Sequence, residues 1–181
     1  MKKIIGLVGE TGSGKDIFCE YVKKRVSSIF IFRFSQPLTE ALGIFFDDIK
    51  KEDQQWLVNN LRRRFGKNIL GEAIKKKVKN IKKGLIILNG VRMLEEFNMI
   101  KNMGGKIIYI TAPSELRWQR IRKRGEKKDD SSSYKNFLKL EKAECEILIP
   151  KMGKRSDFKI ENSGSKEDFY KKIKEILKQI K

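Results

Sequence analysis

The residues best equipped for chemistry form one run near the start of the chain, Gly9-Glu10-Thr11-Gly12-Ser13-Gly14-Lys15-Asp16. Its spacing is G-x-x-x-x-G-K. It stands between an apolar run, Ile4-Ile5-Gly6-Leu7-Val8, and a stretch with helical periodicity. In that setting each position has a reason. Glycines let successive backbone N–H groups converge on phosphate oxygens, the helix N-terminus adds partial positive charge, and Lys15 reaches the β- and γ-phosphates. A glycine-rich turn that ends in Lys would have the same composition, but the strand before it and the helix after it favour the phosphate loop. Gly9, Glu10, Thr11, Gly12, Ser13, Gly14, Lys15 and Asp16 are therefore candidate nucleotide-binding residues, with ATP and Mg²⁺ as the implied cofactors.

Two positions depart from the usual magnesium arrangement. The residue after the lysine is Asp16 rather than Ser or Thr, and the strand Leu85–Leu88 ends in Asn89 rather than Asp. The hydroxyl and carboxylate of the common pair are then exchanged, with Asp16 supplying the charge and Asn89 a neutral oxygen. The other reading is that Asp16 only caps or solvates its helix and the phosphates hold magnesium through water.

Further candidates are cationic. Arg33 ends the second predicted strand and Arg92 follows the third, at the carboxyl edge of a parallel sheet, where ligands bind. Either can hold the phosphate of an acceptor. Arg62, Arg63 and Arg64 lie on a helix whose Trp56, Leu57, Leu61 and Phe65 form an apolar stripe; at least one must face away from it, and Arg63 is the candidate substrate contact. Arg117, Arg120 and Arg124 are spaced i, i+3, i+7, on one helical face directed toward a polar loop. A solvated charged stripe would show the same spacing.

Short β-rich runs alternate with longer amphipathic stretches, the rhythm of βαβ units around a parallel sheet. Strands are predicted at 3–8, 29–34, 84–89, 106–111 and 157–161. Helices are predicted at about 14–27, 37–47, 52–65, 68–82, 93–103, 114–124, 134–148 and 165–180. The stretch 37–83 is too long for a simple crossover and reads as a helical insertion. Residues 124–133 are polar and aperiodic and read as a loop. No repeat or linker divides residues 1–181 into more than one domain.

Composition narrows the chemistry. The 181 residues include no His, which excludes Ser-His-Asp and Cys-His catalysis and leaves carboxylates as the only general bases. Cys19 and Cys145 have neither the number nor the spacing of a disulfide scaffold or zinc site. No apolar run approaches the roughly 18 residues of a membrane span or the core of a signal peptide, so a cytoplasmic protein without membrane contact is expected. The net charge of +19 allows two readings, a nucleic-acid partner or a solvated lysine-rich surface around an anion site. With 31 Lys against 11 Arg scattered through nearly every segment, the solvated surface is favoured.

The pattern resembles the nucleoside-monophosphate-kinase-like branch of P-loop kinases. Gly12-Ser-Gly-Lys-Asp16 and Phe34-Ser-Gln-Pro-Leu-Thr-Glu-Ala-Leu42 look like phage-type deoxynucleoside-monophosphate kinases. Leu116-Arg-Trp-Gln-Arg120, Arg124-Gly125, Asp157-Phe-Lys-Ile160 and Asn162-Ser-Gly-Ser165 are more similar to dephospho-CoA kinases. Asn89-Gly-Val-Arg92, Glu95-Glu96 and Gly104–Ile110 resemble both. The resemblance implies a P-loop NTPase fold, with a five-stranded parallel sheet, an acceptor-side insertion and a short lid at about 117–133. It implies transfer of the γ-phosphoryl group of ATP to a small nucleotide-like acceptor: a nucleoside or deoxynucleoside monophosphate, or dephospho-CoA. Lys15, Arg92, Arg120 and Arg124 would be catalytic. Arg117, Asn162 and Gly164 would help bind ATP, the last two in the turn that lines the adenine pocket; for that turn the plain reading is a helix cap, with Ser165 and Asp168 at capping-box spacing. The aspartate that dephospho-CoA kinases present after the second strand is absent here, where the chain reads Arg33-Phe34-Ser35-Gln36. A P-loop ATPase that binds RNA or DNA is the alternative function, although no nucleic-acid module is recognisable.

Overall fold

A computed structural model describes residues 1–125, 133–142 and 144–180, with backbone alone at 140, 144 and 145. β1 (Lys2–Val8) lies at the centre of a five-stranded sheet whose order is β2-β3-β1-β4-β5. The other strands are β2 (Ile29–Arg33), β3 (Gly84–Val91), β4 (Lys106–Thr111) and β5 (Phe158–Glu161), and every pairing is parallel. A central parallel strand is covered on both faces, which is why Ile4–Val8 is apolar without alternation. The five strands fall within two residues of their predicted bounds.

Side chains alternate between two cores. Ile4, Val8, Ile86, Leu88, Ile107 and Tyr109 point to one face, and Ile5, Leu7, Ile87, Ile108 and Ile110 to the other. The second face is covered by α1 (Lys15–Lys23) and α9 (Lys166–Gln179), through Phe18, Val22, Phe169 and Ile173. The first is covered by α5 (Leu94–Asn102) and by three helices between β2 and β3, namely α2 (Gln36–Leu42), α3 (Lys51–Phe65) and α4 (Ile69–Val78). These three occupy the stretch expected to hold an insertion. They supply Leu38, Val58, Leu70, Ile74 and Val78 to the core, so it extends outward past the carboxyl edge of β2.

β3 carries a one-residue bulge. Leu7 pairs with Asn89 but Val8 pairs with Val91, and the extra residue is Gly90, at φ 83°. That left-handed backbone suits glycine. The bulge re-aims the strand end, so that Asn89 and Arg92 both reach the same edge of the sheet.

The one helix predicted at 134–148 is two, α7 (Tyr134–Leu140) and α8 (Glu144–Lys154), which follow α6 (Ser114–Arg124). α8 continues through Pro150. An interior proline costs about 3 kcal/mol in a helix, and the packing that offsets it is the complete burial of Ile149 and Met152 against the first face of the sheet. Among the described residues no helix is long and apolar enough to cross a membrane.

Gly153 lies flat against the Tyr109 ring; a Cβ there would stand 2.5 Å from two ring carbons. Gly153→Ala is therefore expected to destabilise the fold by about 1–3 kcal/mol, although helix propensity alone would favour Ala by nearly 1 kcal/mol. A urea unfolding midpoint that rises on this substitution would show that the ring yields.

Candidate functional site

The Gly-rich run forms a loop between β1 and α1. Gly12 and Gly14 take φ 81° and 109°, and Gly14 caps α1. These values turn consecutive N–H groups inward, where an L side chain would be strained. Asn162, at the end of β5 and buried, donates Nδ2 to the Ser13 carbonyl at 2.9 Å and braces the loop from outside. Ser165 accepts from the Asp168 N–H at 3.1 Å and caps α9, while Gly164 sits in the exposed turn beside Asp168. Beneath the loop, the Tyr109 hydroxyl donates to Glu10 Oε1 at 2.5 Å. Burial, with the neighbouring Glu10, pushes the Tyr109 hydroxyl up to about 12.

Lys15 curls over the loop, donating Nζ to the carbonyls of Gly9 at 2.6 Å and Glu10 at 2.8 Å. Burial and the Arg92 guanidinium hold its ammonium at about 7, against the pull of Asp16 and Glu10. An anion brought to the loop would restore the charged form.

Next to it, Asp16 Oδ1 accepts from Arg33 Nη2 and from Asn89 Nδ2, each at 2.9 Å. The two residues expected at magnesium are thus brought together across 73 positions of sequence. Arg33, expected on the acceptor, is also tied to this pair.

At the end of β3, Glu96 is almost wholly buried and accepts the N–H groups of Arg92 at 2.9 Å and Met93 at 3.2 Å, capping α5. Burial pushes its carboxyl up from the ordinary range. Arg62 approaches it to 3.7 Å. The cap fixes the backbone from which Arg92 extends, and Arg92 reaches the Thr11 hydroxyl at 3.4 Å and forms an ion pair with Glu146 of α8.

Two arginines of the α6 stripe meet the phosphate loop and the end of β5. Arg117 is buried: Nε donates to the Ala112 carbonyl at 2.8 Å, Nη1 reaches the Thr11 carbonyl at 3.3 Å, and the guanidinium pairs with Glu141. Arg120 donates to the Asn162 carbonyl at 3.0 Å. Arg124 lies on the wall of the main cavity. Helical spacing places the three arginines on one face, of which Arg117 meets the phosphate loop and Arg120 the residue after β5. Of the expected lid, residues 126–132 lie outside the described residues.

These groups surround a cavity of about 450 Å³. Thr11, Lys15, Asp16, Asn89 and Arg92 line it together with Arg33, Ser35, Lys51, Gln54, Gln55 and Arg62, and Phe34, Leu38, Val58 and Leu70 add apolar wall. Arg62 replaces Arg63 here, because the helical phase of α3 turns Arg63 to solvent. Glu141 and Glu146 also line the cavity, and sequence reasoning missed both. Nothing local marks them, since their partners lie 24 and 54 positions away. The role of Tyr109 was equally hidden, because it reads as one more strand residue.

Comparison with known proteins agrees with this architecture. TT1252 from Thermus thermophilus superposes with a TM-score of 0.67 at 18% identity, covering 99% of this chain and 98% of that one. Shikimate kinase from Bacteroides thetaiotaomicron does so with a TM-score of 0.64 at 12% identity, covering 98% of each. At such identities the likeness is one of fold, an α/β P-loop NTPase-like fold. In sequence the chain is 28% identical to a UPF0200 protein of Sulfurisphaera tokodaii, over 98% of its own length and 97% of that protein's. A UPF0200 protein of Thermococcus onnurineus is 27% identical over the same shares. The sequence resemblance named dephospho-CoA kinases and phage-type deoxynucleoside-monophosphate kinases, whereas these relatives are UPF0200 proteins and not dephospho-CoA kinases. The model of the AAA domain family matches residues 5–148, a span that holds the phosphate loop, the helical insertion and both arginines that touch Thr11, and the chain belongs to that family.

Proposed function

We propose that the protein is an ATP-dependent kinase that transfers the γ-phosphoryl group to a small, nucleotide-like acceptor bearing a phosphate. The observation that carries this reading is a cavity lined at once by Thr11 and Lys15 of the phosphate loop, by Arg33, Lys51 and Arg62, and by apolar Phe34, Leu38, Val58 and Leu70. Phosphoryl transfer needs positioning and charge cancellation more than covalent help. In the step proposed, an acceptor oxygen forms a bond to the γ-phosphorus while the bond from that phosphorus to the β–γ bridging oxygen breaks, leaving ADP. Lys15 and Arg92 hold the charge that builds on the transferring group. Arg120 and Arg124 are assigned to the same end of the cleft, and Asn162 and Gly164 to the purine side of ATP.

The engagement of Asp16 and Glu96 by internal partners supports an acceptor phosphate, already ionised, over an alcohol that needs a base. Asp16 is engaged by Arg33 and Asn89, and Glu96 by the cap of α5 and by Arg62. Magnesium fits Asp16 and Asn89: Asn89 Oδ1 is buried without a hydrogen-bond partner among the described residues and stands beside a carboxylate. Among the described residues no group of three acidic, Cys or His residues could hold a metal ion, so a bound phosphate would have to supply further oxygens. Held there by Asp16 and Asn89, the ion would supply positive charge that offsets the charge of the phosphates.

Adenosine diphosphate release against a panel of nucleoside monophosphates, deoxynucleotides and dephospho-CoA tests the reading. Lys15→Ala is expected to lower turnover by about 100-fold or more, and Arg62→Ala to raise the acceptor KM about tenfold with the KM for ATP unchanged. Turnover stimulated by RNA or DNA and falling steeply with salt, with no small acceptor phosphorylated, would overturn the kinase in favour of a nucleic-acid-dependent ATPase.

The lowered Lys15 pKa sets a pH dependence for metal-free nucleotide. Above pH 7 the free protein has lost part of its lysine proton, and bound phosphate holds that proton on, so binding takes up a proton and weakens as pH rises. Titration calorimetry in two buffers at about pH 8.5 is expected to read an uptake approaching one proton. Zero uptake would show that Lys15 is charged in the free protein.

A further inference from the structure

The phosphate loop is approached by two guanidinium groups, and both meet the same residue. Arg92 reaches the Thr11 hydroxyl at 3.4 Å and Arg117 the Thr11 carbonyl at 3.3 Å. Each carries a carboxylate from the stretch after α6, Glu146 on Arg92 and Glu141 on Arg117. The two arginines differ in how else they are held. Arg117 is buried and anchored through Nε to the Ala112 carbonyl at 2.8 Å, so its place is set by the fold. Arg92 is one-third exposed at its side chain.

We propose that Glu146 is an internal counter-anion of the phosphate loop, which nucleotide phosphates must displace from Arg92, and that it sets how much negative charge a ligand needs in order to bind. The proposal rests on the nucleotide reading above and deepens it. A guanidinium offers its forked N–H groups to one oxyanion at a time in bidentate fashion, and here the fork is divided, with Nη1 on Glu146 and Nη2 toward the Thr11 hydroxyl. The Glu146 side chain is only 14% exposed, so salt screens it weakly. A carboxylate so placed opposes an incoming phosphate twice, by occupying the donors and by like-charge repulsion. Glu141 does less, because Arg117 has a second anchor and need not move. A diphosphate that leaves Arg92 untouched would avoid this competition, whereas a triphosphate that recruits it would meet it fully. Glu146 thereby acts as a specificity-determining residue.

The test is Glu146→Gln, which keeps the side chain's size and removes its charge, with binding of a fluorescent ATP analogue and its ADP counterpart measured in parallel. The variant is expected to bind the triphosphate about tenfold more tightly, the scale of one charge-assisted hydrogen bond, and the diphosphate with a smaller gain. Unchanged or weaker triphosphate binding would overturn the proposal, since a carboxylate that merely positions Arg92 helps the ligand. Lys15→Ala separates the two levels. If the unaltered protein binds ATP and this variant does not, the nucleotide reading stands and Glu146→Gln alone decides the counter-anion. If neither binds, both fall. Should Glu146→Gln fail to fold, hydrogen exchange on the unaltered protein decides: ATP should speed exchange of α8 amides as the ion pair breaks, and slowed exchange would overturn the proposal.

Discussion

Crowded positive charge is the constraint around which this molecule is organised. A loop built to receive phosphates needs cations beside it, yet cations gathered in one partly buried place repel each other and lose hydration. Five cations at the cleft are accordingly held by, or drawn toward, internal acceptors. Lys15 rests on the carbonyls of Gly9 and Glu10, Arg33 on Asp16, Arg62 near Glu96, Arg92 on Glu146 and Arg117 on Glu141 and Ala112. The acceptors come from the loop itself, α1, α5, α7's end and α8. So the elements that cover the carboxyl edge of the sheet are joined there by electrostatics as well as by packing.

The parallel sheet makes that convergence geometrically available. With β1 central and β3 and β4 on either side, the loop after β1, the end of β3 and the loop after β4 all open on one edge. The bulge at Gly90 then separates two tasks of neighbouring residues: Asn89 turns to Asp16, and Arg92 turns to Thr11. Glu96 closes the arrangement by capping α5 with the N–H of Arg92 itself. One carboxylate thus ties the direction of an arginine to the start of a helix. Tyr109 and Glu10 do the corresponding work under the loop, and Gly153 leaves room for the ring that reaches there.

Much of this was legible in the sequence because it is local. The phosphate loop is contiguous, strands and helices announce themselves by apolar periodicity, and the capping of α9 by Ser165 and Asp168 spans three positions. Asp16 and Asn89 were readable as a pair only because a motif says what each position ordinarily holds. What escaped were pairings that no local rule records. Arg117 carries the same spacing as a solvated stripe, and only the packing of α6 against the loop buries it. Glu141 and Glu146 look like ordinary helix carboxylates in a lysine-rich stretch. The break between α7 and α8 and the passage of α8 through Pro150 depend on Ile149 and Met152 finding the sheet, a tertiary demand that outweighs helix propensity.

The same accounting separates the site from the surface. Net charge of +19 cannot be assigned to the cleft, because there arginines meet carboxylates nearly one for one. The excess belongs to lysines distributed over the exterior, such as Lys75 and Lys76 on α4 and Lys171 and Lys174 on α9, which are exposed. Exposed charges of this kind are screened within about 10 Å at ordinary salt, whereas the partly enclosed pairs at the loop are not. Surface and site must therefore answer differently to ionic strength: association driven by the exterior weakens as salt rises, while the balance among Arg92, Glu146 and an incoming phosphate is set by short contacts that salt hardly reaches. The lysine excess bears on solubility and encounter, and the chemistry depends on how few of the cleft's cations a ligand must take from their internal partners.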